Sequence, residues 1–213
     1  MARWAMVIDL RKCIGCETCK RVCDEVNNVP PGVTWRRLVD SGVEGNPNGQ
    51  RLFLTMSCMH CSKPPCLEVC PTTATYRRPD GIVDINYELC VGCGSCVLAC
   101  PYNARSIPTE DNIVLEGGAG LENTSVTNPD RIGVCTKCNF CLPRVDAGLS
   151  QGLKPGVDPE ATPTCVRFCI AEALHFGDLD DPDSSVLRLV RDNKTARLQE
   201  ELGTDPSVYY ILK

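Results

Sequence analysis

Four cysteines stand within the eleven residues "CIGCETCKRVC": Cys13, Cys16, Cys19 and Cys23, spaced C-x2-C-x2-C-x3-C. Thiols that dense can form disulfides, hold a zinc ion, or wrap an iron–sulfur cluster. The same spacing returns in "CVGCGSCVLACP" as Cys90, Cys93, Cys96 and Cys100. A near-copy with a longer middle gap, "CMHCSKPPCLEVCP", supplies Cys58, Cys61, Cys66 and Cys70. A fourth set is split: Cys138 and Cys141 in "KCNFC", then Cys165 and Cys169 in "CVRFC" after a 23-residue insertion. Sixteen of the seventeen cysteines are thereby grouped, and Cys135 is left over.

The spacing decides among the three chemistries. Disulfide frameworks belong to short secreted chains with an even cysteine count, and this count is odd. Zinc takes two pairs across a longer loop, or Cys with His, around one tetrahedral ion. A C-x2-C-x2-C run instead offers three thiolates to three corners of a cube. The fourth cysteine, three residues on, ligates the other cluster in two-cluster ferredoxins. Two such runs, a near-copy and a split set predict four [4Fe–4S] clusters.

The elements that would position these thiols are short. "MVIDL" before Cys13 and "GIVDI" at 81–85 alternate apolar and polar residues, as strands do. Each leads into a cysteine loop, and "ETCKRVCDEVNN" or "GSCVLAC" after it reads as a helix. Pro71 and Pro101 close loops, because proline cannot continue a helix interior. Gly15, Gly92 and Gly94 suit sharp turns within the loops. "SSVLRLVRDNKTARLQEEL" is expected to be an amphipathic helix with Val186, Leu189, Val190 and Leu198 on one side. "SVYYILK" is expected to be a strand or extended tail packed on a neighbour. Trp4 and Trp35 read as core or interface aromatics. His60, between two predicted ligands, reads chiefly as loop filler, with a hydrogen bond to a sulfide as its functional alternative; His175 reads as structural.

Composition narrows the class. A chain of 213 residues with a formal net charge of −5 is too acidic on balance for a phosphate-binding face, so no nucleic-acid partner is expected. No uncharged apolar run approaches the ~20 residues of a membrane helix, and the N-terminal stretch is read as no signal peptide. No Ser–His–Asp set, P-loop or Rossmann fingerprint is present, so the chain is not expected to be catalytic alone. Sixteen thiolates and four oxidised cores would bring the charge to about −13. Arg11, Lys12, Lys20, Arg21, Lys63, Lys137, Arg144 and Arg167, all beside ligands, would offset it or form a solvated rim.

The four groups in this order, ending in "KCNFCLPRVDAG…TPTCVRFC", resemble the four-cluster ferredoxin-type iron–sulfur (beta) subunits of the molybdopterin oxidoreductases, the dimethyl sulfoxide reductase family. The likeness runs from about residue 6 to 176. It implies an α+β fold of two pseudo-symmetric, loop-rich, bacterial-ferredoxin-like dicluster modules, plus a C-terminal helix and tail. The whole chain, 1–213, would be one unit: 1–57 with 130–180 as the first module, 58–110 as the second, 181–213 as helix and tail. It also implies crossed ligand sets. One cluster takes Cys13, Cys16, Cys19 and Cys169, and its neighbour Cys138, Cys141, Cys165 and Cys23. A third takes Cys58, Cys61, Cys66 and Cys100, and the fourth Cys90, Cys93, Cys96 and Cys70. Spacing alone also allows Cys135 with Cys138 as a C-x2-C pair; the family's K-C-x-x-C-x-x-R, matched by Lys137, Cys138, Cys141 and Arg144, favours Cys138/Cys141. Cys23 and Cys169 depart from the pattern, since Asp24 and Ile170 replace the following proline.

The expected function is an electron-transfer subunit relaying electrons between a large molybdopterin-guanine-dinucleotide (Mo or W) catalytic subunit and a membrane quinone-binding anchor or cytochrome. A free-standing soluble polyferredoxin is the rival, and a sensor or structural protein stapled by clusters a third reading. The expected location is cytoplasmic or membrane-associated on the cytoplasmic side, with periplasmic placement through co-export with a partner as the alternative.

Overall fold

The computed structural model describes residues 2–30, 32–42, 51–109 and 131–212. Strand β1, Trp4–Asp9, is buried at all six positions. Its two faces serve two cores, as the period-2 geometry of a strand requires. Trp4, Met6 and Ile8 join Phe140, Phe176 and Tyr210 on one side. Ala5 and Val7 meet Leu179, Val186 and Ile211 on the other. Along β1 runs β6, Leu174–Asp178, antiparallel, with Ile8 opposite Leu174. On its other edge lies β8, Val208–Ile211, parallel to it, followed by the two-residue β7, Thr195–Ala196. The sheet order is β6-β1-β8-β7.

Two antiparallel ribbons complete the strands: β2, Arg37–Asp40, with β3, Phe53–Met56, and β4, Thr75–Arg77, with β5, Val83–Ile85. The helices are short. Helix α1, Thr18–Val26, follows the first cysteine loop. Helices α2, Pro65–Glu68, and α3, Ser95–Leu98, follow the second and third. Helix α4, Leu142–Ser150, opens the insertion, and α5, Thr164–Arg167, precedes the last cysteine. Helix α1 packs on α5, and α2 on α3. The molecule is thus a mixture of small helices and strands, an α+β protein.

One expectation needs correction near the C-terminus. Helix α6 spans only Ser185–Asp192. Asn193 is extended, and its side-chain amide donates to the Leu189 carbonyl (3.0 Å), the local competition that ends helices at Asn. Val186, Leu189 and Val190 do share one face under the sheet, whereas Leu198 packs in the main core. The tail forms a strand, β8, seated inside the sheet between β1 and β7, and Tyr210 donates through its hydroxyl to the Thr55 carbonyl (3.0 Å). Residues 43–50, which the module division assigns to the first module, and residues 110–130, of which it assigns 110 to the second module and 130 to the first, lie outside the described residues.

Candidate metal centres

The thiols gather at four places. Cys13, Cys16, Cys19 and Cys169 line a cavity with about 350 Å3 of empty space. Cys58, Cys61, Cys66 and Cys100 line a second of about 310 Å3. Cys70, Cys90, Cys93 and Cys96 line a third of about 300 Å3, and Cys135 lines it too. At the fourth place Cys23, Cys138, Cys141 and Cys165 are all buried. Asn27 donates there to the Sγ of Cys23 (3.5 Å) and of Cys141 (3.9 Å), which brings α1 against the loop before α4.

Each group forms as its local sequence dictates. Gly15, Gly92 and Gly94 all take positive φ. At Gly92 (φ +64°) a Cβ would lie 2.0 Å from the Gly133 carbonyl oxygen, so only glycine allows that close approach. After the last cysteine of three groups the chain turns back so that a backbone N–H reaches the sulfur. Ala173 donates to Cys169 Sγ (3.3 Å), Ala104 to Cys100 Sγ (3.5 Å) and Thr75 to Cys70 Sγ (3.4 Å). The turn at Cys169 forms without a following proline.

Burial sets the chemistry of these thiols. It pushes Cys61 up to about 12, Cys66 to about 11 and Cys165 to about 12, because desolvation disfavours the thiolate. Such thiols ionise only for a strong Lewis acid, so metal loading must release protons. Among the described residues, no group of three or more His, Cys, Asp or Glu is drawn together as one metal ion requires. The thiols stand around a space, the arrangement a polynuclear cluster needs and a lone zinc ion does not.

Three buried cations give a second test of fit. Arg36 and Lys137 are 1% exposed and Arg105 is 4% exposed. Among the described residues none of the three pairs with a carboxylate; the one buried carboxylate there, Asp9, is held by Arg11. Arg36 Nη2 donates to Met6 Sδ (3.1 Å), while its Nε and Nη1 have no hydrogen-bond partner among the described residues. Arg105 Nη1 donates to Thr75 Oγ1 (3.0 Å) and Cys135 Sγ (3.6 Å), and its Nη2 has no such partner there. An unpaired buried charge costs about 3–5 kcal/mol. Sulfur-rich anionic groups in the adjoining cavities would offset that cost, so the residues present fit iron–sulfur clusters.

Sequence reasoning missed Arg36 and Arg105. Arg105, five residues after Cys100, carried a proximity signal; Arg36 stands thirteen residues from the nearest cysteine and carried none. Of the eight cations beside ligands, only Lys137 is buried. Arg11 binds Asp9, Arg144 holds the carbonyls of Thr162 (2.8 Å) and Pro159 (2.7 Å), and Arg167 faces Glu160 (3.7 Å). Lys12, Arg21 and Lys63 are exposed and Lys20 is half-buried.

His60 is more than loop filler. It is fully buried, stacks on Phe140 at 3.7 Å and accepts at Nδ1 from the Val83 N–H (3.1 Å). Burial and then Lys137 hold its pKa well below the ordinary value, so the ring is neutral. Trp4 stacks on Phe176, and Trp35 donates to Thr136 Oγ1 (2.8 Å), both inside the core.

Cys135 lies away from Cys138's group. Its backbone N–H donates to Cys90 Sγ (3.4 Å). Its thiol lies beside the Cys96 sulfur, and each shifts the other, Cys96 downwards and Cys135 upwards.

Comparison with known proteins places this geometry in a class. Residues 5–71 and residues 50–115 each match a model of a 4Fe-4S dicluster domain, the second covering both the 58–70 and the 90–100 groups. The protein is therefore a ferredoxin-type iron–sulfur protein. It is 38% identical, over 98% of this chain and 72% of the relative, to a subunit of the selenate reductase of Mesobacillus selenatarsenatis. It is 40% identical, over 99% and 79%, to the iron-sulfur subunit of a putative dimethyl sulfoxide reductase of Halobacterium salinarum. It is 34% identical, over 98% and 82%, to an iron-sulfur subunit of the Hdr-like menaquinol oxidoreductase of Archaeoglobus fulgidus. The chain belongs to the iron–sulfur subunits of the molybdopterin oxidoreductases, and its function is electron transfer. No described helix is long and apolar enough to cross a membrane.

Proposed function

We propose that the chain carries four [4Fe–4S] clusters in a line and passes electrons between a large molybdopterin-bearing catalytic subunit and a second redox partner. Each cluster takes up and gives on one electron without a proton. The ligand sets are Cys13, Cys16, Cys19 and Cys169; Cys23, Cys138, Cys141 and Cys165; Cys58, Cys61, Cys66 and Cys100; and Cys70, Cys90, Cys93 and Cys96. Cys135 is a thiol beside the last set and not a ligand.

The order along the line rests on electrostatics and burial. Cys58 is close enough to Cys138 to raise its pKa, which supports the second and third sets standing side by side. The first and last sets each include an exposed cysteine, Cys16 and Cys93. These mark the two ends where electrons enter and leave. Exposed Ile14 and Ile170 stand in sequence beside ligands of the first set, and exposed Leu89 and Val91 flank Cys90 of the last. Apolar residues beside a redox group suit a docked partner better than open water.

The same layout supports the two-module reading. In each half a strand leads into a C-x2-C-x2-C loop and pairs antiparallel with the strand that follows the partner group: β1 with β6, and β5 with β4. The helices after the loops pack in corresponding pairs, α1 on α5 and α2 on α3.

The observation that carries the proposal is the gathering of four thiols from two chain segments at each place, with exposed thiols only at the two ends. The relatives named as selenate and dimethyl sulfoxide reductase subunits support a molybdopterin partner at one end. A membrane quinone-binding anchor or a cytochrome is the partner at the other. Anaerobic purification from the native host tests this: a complex with a pterin-bearing large chain is expected, with sixteen iron and sixteen sulfide per copy of this chain. A lone chain exchanging electrons with unrelated carriers would point to a free-standing polyferredoxin instead.

A further inference from the structure

We propose that Arg36, Lys137 and Arg105 set the potentials along the electron path, one buried cation standing in each of the three gaps between consecutive cluster sites. The inference rests on the four-cluster order proposed above. It assigns roles to residues that ligate nothing and that the cysteine motifs do not contain, apart from Lys137's place beside Cys138.

Each cation is placed by its contacts. Arg36 lies against Met6 in the main core, where the thiols that act on it are Cys165, Cys138 and Cys23 of one site and Cys19 of the next. Burial opposes its charge, and those sulfurs outweigh burial and hold its pKa above the ordinary value. Lys137 donates from Nζ to the carbonyls of Cys138 and Val83. Cys138 belongs to the same inner site, and Val83 lines the cavity of Cys58, Cys61, Cys66 and Cys100. Arg105 lines that cavity too, and donates to Cys135 Sγ in the cavity beyond it. The three described cations that the fold buries are thus distributed one to a gap.

The consequence is electrostatic. An added electron raises the negative charge of a site by one, and a fixed cation in a poorly screened interior favours that state. Net charge and hydrogen bonds to sulfur are the levers that set cluster potentials. A cation between two sites raises both potentials together. The guanidinium N–H groups left without partners on Arg36 and Arg105 are available to sulfur acceptors on either side. Burial opposes the charge of Arg36 and Arg105, yet the neighbouring sulfurs hold both above the ordinary arginine value, so neither guanidinium gives up a proton as the electron passes between its donor and acceptor, the two partner subunits.

Redox titration of the holo protein followed by electron paramagnetic resonance tests the assignment, with the two end signals identified through Cys16→Ser and Cys93→Ser. Arg36→Met is expected to lower the potentials of the Cys13 and Cys23 sites, and Arg105→Met those of the Cys58 and Cys90 sites. Lys137→Met should lower only the two inner ones. Each shift should change the oxidised-to-reduced ratio at fixed potential at least tenfold, about 59 mV for one electron. Arg36→Lys and Arg105→Lys, which keep the charge, should recover most of it. Equal shifts at all four sites, or none in a fully loaded variant, would overturn the proposal. If Arg36→Met and Arg105→Met both lose iron while the lysine variants load with unchanged potentials, charge is needed to assemble the sites, and the tuning role stands only if Lys137→Met moves the inner pair; otherwise it falls. An iron content below sixteen in the unaltered protein would instead refute the four-cluster reading, a separate failure.

Discussion

In one half of the molecule both thiol sets come from a single stretch, residues 58–100. In the other half residues 13–23 meet residues 138–169, across more than a hundred intervening positions. The chemistry offered to the metal is the same, but the topological task is not. The local half needs only a small ribbon, β4 with β5, to bring its groups together. The distant half is closed by the four-stranded sheet, by α1 on α5, and by the aromatic core of Trp4, Phe140 and Phe176. With the ligand sets proposed above, clusters in the distant half would hold residues 13–23 to residues 138–169, whereas those in the local half would hold a loop. That difference leads to the predictions below.

Removing the metal should have the largest effect. Iron chelation under anaerobic conditions is expected to abolish cooperative unfolding and to lose the β1–β6 pairing, because thiols poised this high cannot replace the cross-links by themselves. Hydrogen exchange would follow it: the sheet amides of Met6 to Ile8 should lose protection. Protection that survives complete iron removal would show that packing, and not metal, closes the distant half.

A second prediction separates the halves directly. Cys23 and Cys138 are 115 positions apart, Cys70 and Cys90 only 20. Each doubling of a closed loop adds about 0.6 kcal/mol of closure entropy, so the distant crossing should contribute about 1.5 kcal/mol more stability than the local one. Cys23→Ala should thus destabilise the protein more than Cys70→Ala. It should also alter the same paramagnetic signal that Cys165→Ala alters and leave the signal affected by Cys13→Ala intact. Damage to one shared signal by Cys23→Ala and Cys13→Ala would mean that ligation is local in this half as well.

Much of this division was legible in the cysteine spacing, and some of it was not. The groups announce themselves because a cube's corners impose short, repeated intervals. Strands β1 and β5 are legible because they lead directly into those intervals. The length of α6 was not, since the repeat of apolar residues continues past Asn193 while the side chain of that residue ends the helix. The burial of Arg36 was hidden for a deeper reason. A charge that is stabilised by distant sulfurs leaves no local pattern, and nothing in "WRRLV" tells one arginine from the other. Of this pair, Arg36 is buried, while Arg37 is half-buried and donates to the carbonyls of Tyr102 and Asn103. Cys135 misleads in the opposite way, offering a C-x2-C with Cys138 while the fold sends it to the other half.

The joint between the halves gives a third prediction. Phe140 is 1% exposed, stacks on His60 from the second cysteine loop, and meets the Phe176 ring edge-on at 5.3 Å. Phe140→Ala should cost about 3–5 kcal/mol, the range for truncating a buried phenylalanine. Denaturant unfolding of the loaded protein would measure it. A loss below ~1 kcal/mol would mean that the halves are held together by something other than this aromatic stack.

A smaller effect is expected at Cys135. Cys135→Ser should retain all sixteen iron atoms and change only the signal of the Cys90 site, because serine keeps a donor near Cys96 with altered strength. Cys138→Ser or Cys141→Ser should lose or convert one cluster. Full loading of Cys141→Ser together with iron loss in Cys135→Ser would move the ligand pair to Cys135 and Cys138.

The smallest effect concerns pH and belongs to the sheet of the distant half. His175 lies on β6 opposite Val7, and burial, then Lys12, lowers its pKa below the usual 6.5, with Asp9 and Glu172 opposing. The unfolded chain therefore binds a proton at slightly acid pH that the folded chain refuses. Stability rises with pH wherever the unfolded state holds more protons. The contribution of His175 is thus fully present above about 6.5 and declines as the pH falls towards its lower folded value, by at most about 1.4 kcal/mol per pH unit. His175→Gln removes the titration and should flatten that part of the decline between about pH 6.5 and 5, leaving whatever His60 contributes. Unfolding midpoints of the loaded protein and the variant across this range would show it. A variant with an undiminished slope would place the acid sensitivity outside the sheet.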